Sequence, residues 1–428
     1  MSDVWPPTPD FWTGEFPART SGRTSPYLFK RIIPATAANP DDVLAGLATM
    51  RRAHAVGAPS AAKARVYVGE DRHDELVETV LTKDGWDEGA FVEWMQSLIG
   101  ADRFSLVINQ LETVSPQLAA GLGAFLRSLY EGWGVPIGGA EQAAFCGNYA
   151  GTAFGVHEGA EDAFLCHLGP GTKHFYCWDP QVYAELTGGH EPTFGDYEQL
   201  LEHGTCFVME PGDALFLPKR VFHVGRQDTF SISVAIPLYT YPDDRLLRLS
   251  VLPELLDDVL GENPDDPFGV QSPMHAAANG NIDAVQRLIE RARTALTAVG
   301  DRLEAGVGRK VGRRWAAVWS NGGWEPVDDD LARTEAAAVF EADRVRPGAT
   351  MSLLAPYQLR ITGAEEAFLR GIDITCDTRP LTDDLVSALN AGAPVTLPHD
   401  DALCTTVAAL GASGGIRITA DSTTEASA

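Results

Sequence analysis

Between residues 142 and 238 the chain is written in short apolar runs cut by tight turns, and this segment limits the fold more than any other. Candidate strands lie at 142–150, 163–168, 173–178, 205–209, 214–217 and 229–237, each rich in β-branched, aromatic or small apolar residues. Gly169-Pro170-Gly171 and Glu210-Pro211-Gly212-Asp213 are the turn signals between them. Many short strands punctuated in this way build a sandwich or a barrel. The flanking sequence is helical. Leu118, Leu122, Phe125, Leu126 and Leu129 recur at helical spacing and predict an amphipathic helix over 117–133. Residues 40–57 and 71–100 read as mixed helical, Phe104–Asn109 as a strand, and 1–35 as an irregular cover rich in Pro, Thr and aromatic residues.

After Pro242 the pattern changes to leucine-rich helix over 243–262, continued over 276–304. Ser272–Ile289 looks like one ankyrin helix pair, but no second copy follows and a lone repeat cannot bury its own face. Arg309-Lys310-Val-Gly-Arg313-Arg314-Trp315, with Trp319 and Trp324, sets basic beside aromatic residues; in an acidic chain this predicts pairing with acidic neighbours within the molecule. Residues 350–418 read as a small α+β segment, with Leu381–Asn390 as its clearest helix, and the chain from 419 as a disordered polar tail.

With 428 residues, 45% of them hydrophobic, the chain is long enough for two or three domains with a sizeable core. It has no long uncharged apolar run and its first residues do not read as a signal peptide, so a soluble, cytoplasmic protein is expected. The net charge of −26 argues against nucleic acid and reads first as a soluble acidic surface, with a basic partner surface as the alternative. The last 82 residues carry four Arg, no Lys and ten acidic residues, which argues the same way. Six cysteines, at 146, 166, 177, 206, 376 and 404, form no CxxC pair and read as reduced, mostly buried thiols.

Six of the ten histidines lie between 157 and 223, and two stand out. His157 sits in Gly-Val-His157-Glu-Gly159-Ala-Glu161-Asp162-Ala-Phe-Leu. His223 closes Glu-Pro-Gly-Asp213-Ala-Leu-Phe-Leu-Pro-Lys-Arg-Val-Phe-His223, about 65 residues later. This is the layout of a mononuclear iron site in a small β-barrel. Such a site takes two histidines and a carboxylate on one face of the metal. Side chains alternate along a strand, so the carboxylate belongs two residues after His157, where this chain has Gly159. Glu161 is in phase with His157 if the strand continues, and Glu158 is not.

Residues 104–238 resemble the JmjC-type cupin domain of 2-oxoglutarate- and iron(II)-dependent oxygenases, in particular the ribosomal oxygenase branch. The resemblance rests on the two histidine motifs quoted above and on the order of parts. It implies a double-stranded β-helix, a JmjC cupin or jelly roll with a helical N-terminal cover, over 1–242. A helical dimerisation region over 243–345 and a winged-helix-like domain over 346–418 would follow, before the tail 419–428. The implied cofactors are Fe(II) and 2-oxoglutarate. The implied partners are O2, a protein or peptide substrate and a second copy of the chain.

Carried over by residue, His157 and His223 are the iron ligands and Lys173 binds the far carboxylate of 2-oxoglutarate, whose charge must be neutralised in a dry pocket. Asn148 is a further candidate hydrogen-bond donor to the cosubstrate, and Glu161 a substitute metal ligand. His167 is a candidate for the pocket wall, His174 is expected on the opposite face, Asp162 in a supporting role, and Asp213 in a turn.

Gly159 departs from the family, which has Asp or Glu there. Four readings follow. A hydroxylase survives with the third position filled by water or Glu161; a halogenase places chloride in it; another metal or reaction is used; or the domain is a non-catalytic peptide-binding pseudoenzyme. The implied activity is hydroxylation of an amino-acid side chain, with the others as alternatives.

Overall fold

The computed structural model describes residues 5–419 apart from 70, 86–89, 152–153, 196, 262–283, 328–329, 332, 335–339 and 341. Most of the ankyrin-like stretch and the tail beyond Thr419 therefore lie outside the described residues. Thr419 itself ends a strand.

The barrel strands are β1 (Tyr27–Phe29), β2 (Lys63–Val68), β3 (Asp71–Arg72), β4 (Ser105–Asn109), β5 (Ala143–Gly147), β6 (His157–Glu158), β7 (Asp162–Pro170), β8 (Lys173–Trp178), β9 (Thr205–Met209), β10 (Ala214–Leu217), β11 (Phe222–Arg226) and β12 (Ser231–Leu238). They form two antiparallel sheets. The larger has the order β1-β10-β7-β12-β5-β4-β2-β3 and the smaller β6-β11-β8-β9. In the larger sheet β7 and β12 are buried along nearly their whole length, because one face meets the smaller sheet's side chains and the other is covered by helices.

That cover follows from the sequence. The helix Pro40–Ala55 starts with Pro40 at its first position and a reciprocal Asn39–Asp42 cap, which satisfies two otherwise orphaned backbone N–H groups. The helix Pro116–Trp133 buries Leu118, Leu122, Phe125, Leu126 and Leu129, the predicted stripe, in the main core. The first 35 residues are more regular than expected. Trp12 and Phe16 sit on two short helices and pack edge-on against Phe125 and Phe216, and β1 extends the larger sheet by pairing with β10. Asp213 does more than turn the chain. Fully buried, it accepts hydrogen bonds from the backbone of Arg31 and Glu210 and from Lys30 Nζ at 2.8 Å, and so ties that edge down.

The described residues fall into two compact units, those within 1–240 and 316–428 and those within 241–315. In the first, the C-terminal part packs on the barrel's helices. Trp324 Nε1 donates to Ala119 O, Tyr130 Oη donates to Gly323 O, and Glu325 N donates to Ala140 O. Residues 316–327 thus belong with the barrel, and the expected helical region is shorter than 243–345. The rest of this part has strands β13 (Thr350–Leu353), β14 (Arg360–Gly363), β15 (Glu366–Leu369), β16 (Ile372–Thr375), β17 (Val395–Thr396) and β18 (Ile416–Thr419). They pair as β17-β13-β18 and β14-β15-β16, with helices Asp383–Asn390 and Asp401–Gly411 capped by Thr382 and Asp400.

The second unit is helical around Val251, Leu255 and Val299. Lys310 pairs there with Glu254 at 3.0 Å and Asp258 at 3.8 Å, the intramolecular pairing expected of the basic stretch. Cys146, Cys166 and Cys177 are buried as expected, whereas Cys206 is exposed and Cys376 and Cys404 are half-buried.

Candidate metal and cosubstrate site

His157 and His223 come from adjacent strands of the smaller sheet. In the antiparallel β6–β11 pairing they stand directly opposite one another, so their side chains share a face. Their ring centroids are 4.4 Å apart. Just before β6, Gly155 has φ +60°, and a Cβ there would meet Thr193 O at 2.3 Å; only glycine lets the chain enter β6 on this path.

Each imidazole has its tautomer fixed by backbone. His157 Nδ1 lies 3.1 Å from Gly155 O and His223 Nδ1 lies 2.9 Å from Val221 O. A carbonyl only accepts, so Nδ1 carries the proton in both and Nε2 keeps its lone pair. Burial pushes the pKa of His157 down. Burial and then the neighbouring His157 push His223 to about 3. Both rings are therefore neutral near pH 7, the form that binds a metal.

They face a cavity of about 180 Å³ between the two sheets, walled by Phe145, Phe154, Phe175, Leu165 and Leu217. Phe175 stacks on His223 at 5.3 Å and Phe154 packs on His157 at 5.5 Å. Lys173 enters the same cavity from β8 although it is only 1% exposed. Its Nζ donates to Tyr149 Oη at 2.6 Å and to Gln227 Oε1 at 3.1 Å. Both partners are neutral, and burial lowers the lysine's pKa to about 7. Gln227 spends its own amide N–H groups on Gly147 O and Ser231 O, which aims its oxygen at Lys173. Gly225 makes room, since a Cβ there would lie 3.0 Å from Lys173 Cε.

Glu161 lines the cavity, but among the described residues no three His, Cys, Asp or Glu side chains come together to hold a metal. It therefore does not complete a triad with the histidines in this conformation. Asn148 is not in the wall: its Oδ1 accepts from Phe104 N and its Nδ2 donates to Asp102 O. The reason is parity. Phe145 faces the cavity, so Tyr149, in phase with it, faces inward and Asn148 outward.

His167 is buried but not in the wall, because both nitrogens are taken, Nδ1 by Ser233 Oγ and Nε2 by Gly171 O. His174 is likewise outside the wall. Glu158 points away and meets Arg220 at 3.6 Å on the surface. Asp162 accepts from Lys219 N at 2.8 Å, and Arg220 N donates to Gly159 O, so this pair of contacts ties the His157 loop to the turn before His223. Tyr149, Gln227 and Gly225 are the site residues that sequence reasoning missed.

Residues 140–244 match the family model described as JmjC domain. The part of the barrel from β5 to β12 thus matches a JmjC domain. Among solved structures, the chain is similar to YcfD of Escherichia coli, at 16% identity and a TM-score of 0.52 over 98% of this chain and 99% of that one. A second structure, of the Escherichia coli ribosomal oxygenase YcfD, gives 16% identity and a TM-score of 0.51 over the same shares. The fold of the JmjC domain and of what flanks it is thus shared with YcfD. A search of curated proteins finds no match.

Proposed function

We propose that this chain is an iron(II)- and 2-oxoglutarate-dependent oxygenase that hydroxylates an amino-acid side chain of a protein or peptide. One arrangement carries the reading: two neutral imidazoles with free Nε2 atoms, and a buried lysine with only neutral partners, face a single apolar cavity. Neutral imidazole suits iron, and the chain supplies two such donors. His157 and His223 hold the metal. Lys173, set by Tyr149 and Gln227, takes the distal carboxylate of 2-oxoglutarate. When bound, iron and 2-oxoglutarate supply the oxidation, in which O2 converts 2-oxoglutarate to succinate and CO2 and hydroxylates the substrate. The protein's part is to orient both, match one carboxylate charge and exclude water with its phenylalanine wall.

The JmjC match and the fold shared with a ribosomal oxygenase support a polypeptide substrate. The net charge of −26 favours a basic one. Leu249, Leu288 and Leu296, each more than 60% exposed on the helical unit, support a homodimer built on that unit. The sheets and two capped helices of the C-terminal part support a winged-helix-like protein-binding module. No described helix is long and apolar enough to cross a membrane, in keeping with work in the cytoplasm.

The test is succinate formation by the iron-loaded protein offered basic peptides. Wild type should form succinate only when 2-oxoglutarate is supplied, His157→Ala should form none, and Lys173→Ala should need far more 2-oxoglutarate. An iron-loaded wild type that yields no succinate with any peptide, while still binding peptide, would replace the enzyme reading with that of a binding scaffold.

A further inference from the structure

We propose that Glu112 is a proton-operated clasp: as a neutral acid it fastens the C-terminal part to the barrel, and the fastening weakens as pH rises. The clasp lies outside the two-histidine cavity, and the inference does not depend on how that cavity is read. Three observations lead to it.

First, Glu112 is buried with half of its carboxyl group unused. It follows β4 on the short 3-10 turn Leu111–Thr113 and is 7% exposed. Its Oε2 accepts from Gln142 N at 2.8 Å, whereas its Oε1 meets no hydrogen-bond partner among the described residues. Gln142, which donates that bond, is fully buried too, and neither polar atom of its side chain is partnered. An ionised carboxylate wants acceptor bonds at both oxygens, and burying it with one oxygen bare costs far more than burying the neutral acid.

Second, the group stands on a seam. A cavity of about 20 Å³, room for about one water, lies between Glu112 and Thr113 of the barrel and Asn321, Trp324, Tyr357 and Arg370 of the C-terminal part. The same seam is closed by backbone on either side of Glu112. Leu111 N donates to Gln142 O at 3.1 Å, and Glu325 N donates to Ala140 O at 2.7 Å. Asn321 Nδ2 holds the turn by donating to Trp324 O and Glu325 O.

Third, the surrounding charges favour the proton. The titratable and charged groups around Glu112 are Glu141 from the lead-in to β5, Glu325 from residues 316–327, and Tyr357 and Arg370 from the C-terminal part. Glu141 accepts from Asn109 Nδ2 at 3.0 Å, and Arg370 donates to Ser413 O at 3.3 Å with its guanidinium 5.8 Å from the Tyr357 ring centre. Burial first, and then Glu141 and Glu325, push the pKa of Glu112 up to about 8, against the backbone bonds that lower it.

The sign follows. Opened to water, Glu112 would ionise near the ordinary glutamate value of 4.5, and fastened it ionises near 8. The fastened form binds more protons between those values, so fastening weakens by up to about tenfold per pH unit across that window and is level above it.

Hydrogen exchange of the full-length protein tests this between about pH 5 and 9, with rates corrected for the intrinsic pH dependence of amide exchange and β12 as internal reference. In the wild type the opening of residues 316–327 should grow with pH up to about 8 and then level. Glu112→Gln is neutral at every pH and still accepts from Gln142 N, so its opening should be flat. Glu141→Gln removes one of the two neighbouring acids and should level at a lower pH than wild type. Opening of the wild-type seam that ignores pH, or a wild-type rise retained in Glu112→Gln, would overturn the proposal. Should Glu112→Gln fail to fold, an unchanged levelling point in Glu141→Gln would do the same.

Discussion

His167 and His223 lie in the same barrel and are both desolvated, yet they do different work. His167, on the larger sheet, has both nitrogens engaged, one with Ser233 and one with Gly171 O, and burial drives its pKa to about 4. It is a strut that joins β7 to β12 and fixes the turn before β8. His223, on the smaller sheet, has one nitrogen pinned to its own strand and the other turned to a cavity. Burial alone does not separate a candidate ligand from a strut. The separating feature is a free Nε2 beside a second one, with the tautomer set by backbone.

The largest expected effect breaks this comparison in two. His223→Ala should lower cobalt or iron affinity by more than the roughly 10–100-fold typical of outer-sphere losses, with little change in thermal stability. His167→Ala should leave metal affinity near wild type and cost about 1–3 kcal/mol of stability, because it orphans buried polar groups. Equal metal loss in both variants, read by calorimetry and thermal melts, would erase the distinction.

A second, smaller effect concerns Lys173. Its folded pKa of about 7 lies below the usual lysine range, so between about 7 and 10 the unfolded chain binds more protons than the folded one. Stability of the cosubstrate-free protein should therefore rise as pH increases through that window, and Lys173→Met should remove the rise. Binding of 2-oxoglutarate should show the opposite trend. It needs the charged lysine, so affinity should fall above pH 7, approaching about tenfold per unit. In Lys173→Met the affinity should be roughly 30-fold or more lower and flat with pH. Calorimetry across pH checks both slopes.

The same contrast explains what could be read from the sequence. Strands β7, β8, β9, β10 and β12 announce themselves because each combines apolar content with a turn at its end. β6 and β11, which carry the two histidines, do not. β6 is two residues long, and β11 reads as polar because His223, Gly225 and Arg226 interrupt it. The motif therefore located the histidines while propensity missed their strands. Lys173 was legible from its place after the Gly-Pro-Gly turn. Its partners were not, since Tyr149 and Gln227 reach it from 24 and 54 residues away and no local pattern marks either. Asn148, just past the end of β5, is turned to Phe104 and Asp102 and away from the cavity that Phe145 lines. Gly159 was conspicuous in the sequence, but only the structure shows that its backbone has no need of glycine.

The most direct measurement of the central claim is an anaerobic titration of the metal-free protein with iron(II) and 2-oxoglutarate, read by the visible charge-transfer band of the chelated cosubstrate. The band should saturate at one iron per chain, disappear in His157→Ala and His223→Ala, and need higher 2-oxoglutarate in Lys173→Ala. Iron binding with no band, or a band that survives removal of either histidine, would contradict it.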